Sequence, residues 1–160
     1  MVVAEDPDEL LADLGAELAA RVGAALPGWV LRCVDSRLPA ATPDRDAVMA
    51  RAEVAARRAR REVEVELRAL LASDVDAQRS TPLSVVRAAV SYPTEVLLAA
   101  QVPPVPRDGF VSGRFPHDPY GLNPASLRAV HPDLGEVAIA WGAAKAMAHR
   151  QRHGTPDEFT

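Results

Sequence analysis

The chain has 160 residues, 48% hydrophobic and 25% charged, a globular composition at a length where one domain buries about 70% of its unfolded surface. A formal net charge of −4 disfavours whole-molecule nucleic-acid binding, which calls for a basic domain, and the single cysteine, Cys33, leaves no internal disulfide and no cysteine-based zinc site. The opening MVVAEDPDEL lacks the basic and apolar regions of a secretion signal, and the most apolar run, Val137 to Ala148, is interrupted by Lys145 and is shorter than the roughly 20 residues of a membrane span, so a soluble, cytoplasmic protein with no membrane or nucleic-acid partner is expected.

Four helix starts carry the same punctuation, a capping residue followed by proline: Asp6-Pro7, Thr42-Pro43, Thr81-Pro82 and Asn123-Pro124. The side-chain oxygen takes up a free backbone N–H while proline occupies the first helical position, where its missing N–H costs nothing. The pattern predicts an all-α fold of about six helices. The first begins at Pro7, where Asp6 and Glu9 also fit an acidic capping box. Leu10, Leu14, Leu18, Val22 and Leu26 follow at helical spacing. Pro27-Gly28 is expected to end it. Trp29, Val30, Cys33, Val34 and Leu38 would then line a short second helix that stops at Pro39. Cys33 lies on that apolar stripe and reads as a small buried hydrophobe rather than a nucleophile.

The third predicted helix, Pro43 to Ala72, is the longest. Val48, Ala52, Ala56, Ala59, Val63, Leu67 and Leu70 repeat with an eleven-residue period, near that of a straight helix. Because its middle is lined by alanines, which bury little area, a homodimer through Ala52, Ala56 and Ala59 is expected. On the other face Arg57, Arg58, Arg60 and Arg61 suggest nucleic acid at first sight. However, Glu53–Arg57, Arg58–Glu62, Arg60–Glu64 and Glu64–Arg68 are each spaced by four residues, the arrangement of mutually neutralising pairs on a solvated helix face. A fourth segment from Pro82 carries Leu83, Val86, Val90, Val96 and Leu97, and Tyr92-Pro93 should split or bend it. A brief helix from Pro124 to Val130 and a last one from Pro132 to Arg152 complete the set. The last presents Leu134, Val137, Ala138, Trp141, Ala144 and Ala148 on one stripe, with Gly142 expected at a close packing contact. Residues 1–153 would form one helical domain, with 154–160 a short polar tail.

Between these helical regions lies QVPPVPRDGFVSGRFPHDPYGLN, Gln101 to Asn123. Its aromatic content, in a chain only 4% aromatic, argues for an ordered segment, because disordered segments are poor in aromatics. Unstructured loops of such length inside a domain are uncommon and often functional. Arg107, Phe110, Arg114, Phe115, His117, Asp118 and Tyr120 are therefore the candidate binding residues, since aromatics and arginine concentrate at interface centres.

Signals for chemistry are weak. His149 and His153 have the four-residue spacing of helical metal ligands, but Arg150 stands where metalloprotease helices carry glutamate, and histidine near a helix C-terminus is favoured by the helix dipole alone. No metal and no cofactor are expected. Ser80, Thr81, Ser84 and Ser91 lie in no nucleophile elbow, and Gly109, Gly113 and Gly121 fit neither a phosphate loop nor a dinucleotide fingerprint. No catalytic residue is assigned.

The runs TPLSVVRAAVSYPTEVLLAAQVPPVPRDGF, FPHDPYGLNPASL and GEVAIAWGAAKAMAH, from Thr81 to His149, resemble small actinobacterial helical proteins of uncharacterised activity. The resemblance covers a little under half of the chain and implies an ordered loop but no activity. The expected function is that of a non-catalytic protein-interaction or regulatory protein that uses the loop as its recognition surface. The alternative is a small enzyme or ligand-binding protein with a pocket between the loop and the last helix, built from Arg114, His117, Asp118 and His149.

Overall fold

The computed structural model describes residues 6–72, 82–104, 120–122 and 134–153. Five helices run through them: α1 (Pro7–Arg37), α2 (Arg45–Ala72), α3 (Pro82–Ala88), α4 (Ser91–Ala99) and α5 (Leu134–His153). No strand occurs among the described residues, so the all-α class holds. The expected helix from Pro124 to Val130 lies outside them.

The scaffold is an antiparallel hairpin of α1 and α2. Asp6 caps α1, its Oδ1 accepting from the Asp8 N–H at 3.1 Å, with Pro7 in the first helical position. Where two helices separated at Pro27-Gly28 are predicted, α1 runs unbroken for 31 residues with Pro27 inside it. A proline in a helix interior costs about 3 kcal/mol through a lost hydrogen bond and a clash with the carbonyl four residues back. Burial on both sides of the proline offsets that cost: Leu26, Trp29, Val30 and Val34 are all inside the core, and each large apolar side chain so buried contributes about 1.5–3 kcal/mol. The residue four positions back is Gly23, which carries no side chain to crowd the distortion further.

Arg45 secures the turn between the two long helices. Its guanidinium donates to the carbonyls of Leu38 at 3.3 Å, Pro39 at 3.1 Å and Asp35 at 3.3 Å, and to the Asp35 carboxylate. The Asp35 carbonyl is among those in the last turn of α1, where intrahelical partners run out, and the other two follow directly in the turn. The predicted cap at Thr42-Pro43 is not used as such. Instead α2 starts at Arg45, Asp44 adopts a positive φ of 51°, and the Thr42 hydroxyl turns back to donate to the Pro39 carbonyl at 2.6 Å.

Two glycines set how closely the helices meet. A Cβ on Gly23 would lie 3.1 Å from the Glu64 Cβ, and one on Gly15 would lie 3.2 Å from the Leu71 Cβ and 3.5 Å from the Trp141 Nε1. Gly15 is thus the point where α1, α2 and α5 converge. Gly142, expected at a close contact, faces open space instead, with no atom within 4 Å of a Cβ placed there. The residue beside it, Trp141, makes the contact, with the Lys145 ammonium 4.5 Å above its ring centroid.

The alanine stripe of α2 is consumed within the chain. Val48, Ala52, Ala56, Ala59, Val63, Leu67 and Leu71 are buried, and α1 is the principal neighbour of α2. The homodimer expected through Ala52, Ala56 and Ala59 therefore has no free surface there. Long neighbours supply the area that alanine lacks: Trp29, Leu26 and Leu18 share the same core. At its end the stripe passes through Leu71 rather than Leu70, which is only partly buried.

As Tyr92-Pro93 implies, the fourth segment is divided, and Pro93 falls in the first turn of α4, where a missing N–H is harmless. α4 closes with Gln101 in the left-handed region, φ 58°. The Gln101 N–H reaches the Leu98 carbonyl and the Val102 N–H the Leu97 carbonyl, both at 3.0 Å, a Schellman arrangement with buried Val102 and Leu97 in the positions of its usual apolar contact. α4 packs on both α1 and α2, and α5 lies along α1.

Candidate functional site

Val102 and Tyr120 stand near the two ends of the candidate segment, of which residues 105–119 lie outside the described residues. Val102 is held by the α4 cap, and its carbonyl accepts a hydrogen bond from the Tyr120 hydroxyl at 2.8 Å. Tyr120 has no exposed surface, and Leu122 is buried beside it in sequence. Between them Gly121 takes a positive φ of 68°, which lets the chain turn while both neighbours point inward. Burial pushes the Tyr120 phenol up from its ordinary range, so it remains a neutral donor. This Tyr120–Val102 bond closes the neck of the segment, although 18 residues of chain separate the partners.

Tyr120, one of the expected binding residues, is thus buried and hydrogen-bonded in this structure. The signal was present in the sequence, since an aromatic next to a glycine suits an anchored turn. Arg107, Phe110, Arg114, Phe115, His117 and Asp118 lie outside the described residues. So do Ser80, Thr81, Gly109 and Gly113. His149 is exposed on α5.

A second polar constellation sits where α4 crosses α2. Arg58 and Glu62 stand one turn apart on α2, while Tyr92 and Glu95 share a face of α4. The Tyr92 hydroxyl donates to the Glu62 carboxylate. Arg58 donates to Glu62 at 3.3 Å and to Glu95 at 3.5 Å, and its guanidinium carbon lies 5.2 Å from the Tyr92 ring centroid. Tyr92 itself is buried, whereas the three charged partners are about half exposed.

The electrostatics follow from that geometry. Burial, then the hydrogen bond to Glu62, pushes the Tyr92 phenol up to about 12. The same hydrogen bond holds Glu62 below the usual carboxylate range, with Arg58 adding to the effect. Glu62 in turn raises Arg58. A phenol displaced in this direction is protonated throughout the neutral range and is a poor proton carrier there. The group acts as a latch between α2 and α4.

Of the arginine cluster, Arg58 belongs to this latch. Arg58–Glu62, Arg60–Glu64 and Glu64–Arg68 form ion pairs at 3.3, 3.9 and 3.1 Å, three of the four expected from the spacing. The partnership with Tyr92 was not legible in the sequence, because it joins positions 30 residues apart.

A third surface was missed altogether. α5 buries Ala144 and Ala148 and half-buries Trp141, but Ile139 is 75% exposed and Met147 45% exposed, and Ala140, Gly142, Ala143 and Ala146 are exposed with them.

The fold and these sites define a small all-α protein built on a long helical hairpin, with Tyr120 hydrogen-bonded to Val102. Compared with protein families, curated proteins and solved structures, the chain matches none.

Proposed function

We propose that this is a non-catalytic, cytoplasmic interaction protein that recognises a protein partner through the segment between Val102 and Tyr120, with Arg107, Phe110, Arg114, Phe115, His117 and Asp118 as its contact residues. One observation supports the reading: the buried Tyr120–Val102 hydrogen bond fixes both ends of that segment to a rigid helical scaffold. Loops that carry recognition are commonly mounted in this way, with variable chemistry on a fixed base. Holding the ends also reduces the ordering entropy to be lost on binding.

The test is affinity capture from the native cell with the full chain, followed by titration of the recovered partner against variants. Phe110→Ala and Phe115→Ala should each weaken binding roughly 30-fold, the loss of a typical interface hot spot, while leaving the helical circular dichroism intact. A partner held equally by both variants would place the recognition surface elsewhere.

A further inference from the structure

The outward face of α5 has a self-complementary order. Ala143 stands at its centre, with Ile139 and Met147 four residues to either side and Glu136 and Arg150 seven to either side. All five side chains are exposed, and neither Glu136 nor Arg150 forms an ion pair among the described residues. Positions 136, 139, 143, 146 or 147 and 150 follow the alternating three- and four-residue steps by which one helix lies along another. The face of α5 that carries Trp141, Ala144 and Ala148 lies against α1, whereas the large apolar side chains of Ile139 and Met147 stay exposed, and exposed apolar side chains grouped on one face call for a partner.

We infer that α5 pairs with α5 of a second copy of this chain, antiparallel about a two-fold axis through Ala143. Reversing one helix about that residue sets Glu136 of each copy against Arg150 of the other, Ile139 against Met147, and Ala143 against its own counterpart. The order of charges selects the occupant and its direction: a parallel pair would set Glu136 against Glu136 and Arg150 against Arg150. Gly142 and Ala143 leave the backbones free to approach at the axis, while Ile139 and Met147 fill the space above and below. The seam spans about 21 Å at 1.5 Å per residue. A single helix pair of that length is a small interface, at the weak end of specific contacts. This pairing uses none of the loop residues, and it stands or falls independently of the partner reading above.

Sedimentation velocity of the full chain over a range of roughly 5 to 500 µM tests it. The mass should rise from 17.1 kDa toward twice that value across the range. Glu136→Arg and Arg150→Glu should each weaken association roughly tenfold, because every dimer contains the contact twice and each change turns attraction into repulsion. The double exchange should restore it, an outcome peculiar to the antiparallel register. Ala143→Arg should abolish association by facing like charges across the axis. Circular dichroism checks that each variant folds. A wild-type mass that stays at the monomer value throughout overturns the inference. So does a dimer indifferent to both single exchanges, or one that the double exchange fails to restore.

Discussion

Tyr92 links the electrostatics of α2 and α4 through Glu62 and Arg58. An ordinary tyrosine ionises near 10, and Tyr92 in the folded chain near 12. Below pH 10 both folded and unfolded chains keep this proton, and the interaction with Glu62 contributes fully. Between 10 and 12 the unfolded chain loses the proton first, so stability falls as pH rises, and the contribution is gone above about 12. Glu62 works in the opposite sense. Its carboxylate is held low by the same hydrogen bond, so its contribution is present above the ordinary carboxylate range and is lost as pH falls. Tyr92→Phe should therefore lower stability at neutral pH by about 1 kcal/mol, the net worth of a hydrogen bond to a partly solvated charge, and should flatten the alkaline decline. Urea unfolding at a series of pH values measures both. An identical alkaline decline in wild type and variant would show that Tyr92 is not its source.

At the scale of elements, glycines at helix contacts and glycines in the open should respond oppositely to a methyl group. Gly142→Ala fills empty space on an exposed helix and removes the backbone freedom of glycine, so it should stabilise the protein by about 0.5–1 kcal/mol. Gly15→Ala gains the same propensity but pushes a Cβ to 3.2 Å from the Leu71 Cβ, an atom fixed to the α2 backbone. Overpacking of this kind costs about 1–3 kcal/mol, and the net effect should be destabilising by about 1 kcal/mol. Thermal unfolding of the two variants side by side decides it. The unbroken α1 belongs to the same scale: local signals at Pro27-Gly28 stop a helix, but the core residues on either side hold it together.

For the whole molecule, the consequence of an internal alanine stripe is that its disruption unfolds the chain instead of separating subunits. Ala56→Glu would place a charge with no partner between α1 and α2, where breaking the packing and burying the charge should cost at least about 3 kcal/mol. Chemical denaturation should show the loss directly, and light scattering should show no change of mass attributable to this face alone. A variant of unchanged stability would return the stripe to the surface. The described helices include none long and apolar enough to cross a membrane.

Several features were legible in the sequence because they depend on neighbours within about one helical turn. The cap at Asp6-Pro7, the division at Tyr92-Pro93, the buried Cys33 and the Arg–Glu pairs of α2 all follow from local spacing, and so does the all-α class. The continuity of α1, the packing of Ala52, Ala56 and Ala59 inside the chain, the Tyr92–Glu62 latch and the Tyr120–Val102 neck do not. Each joins residues or helices far apart in the chain, and its sign depends on how much apolar area a distant element covers. The face of α5 makes the same point from the other side: Ile139 and Ala144 are both apolar residues of one helix, and only the position of α1 determined which would be covered and which would face outward.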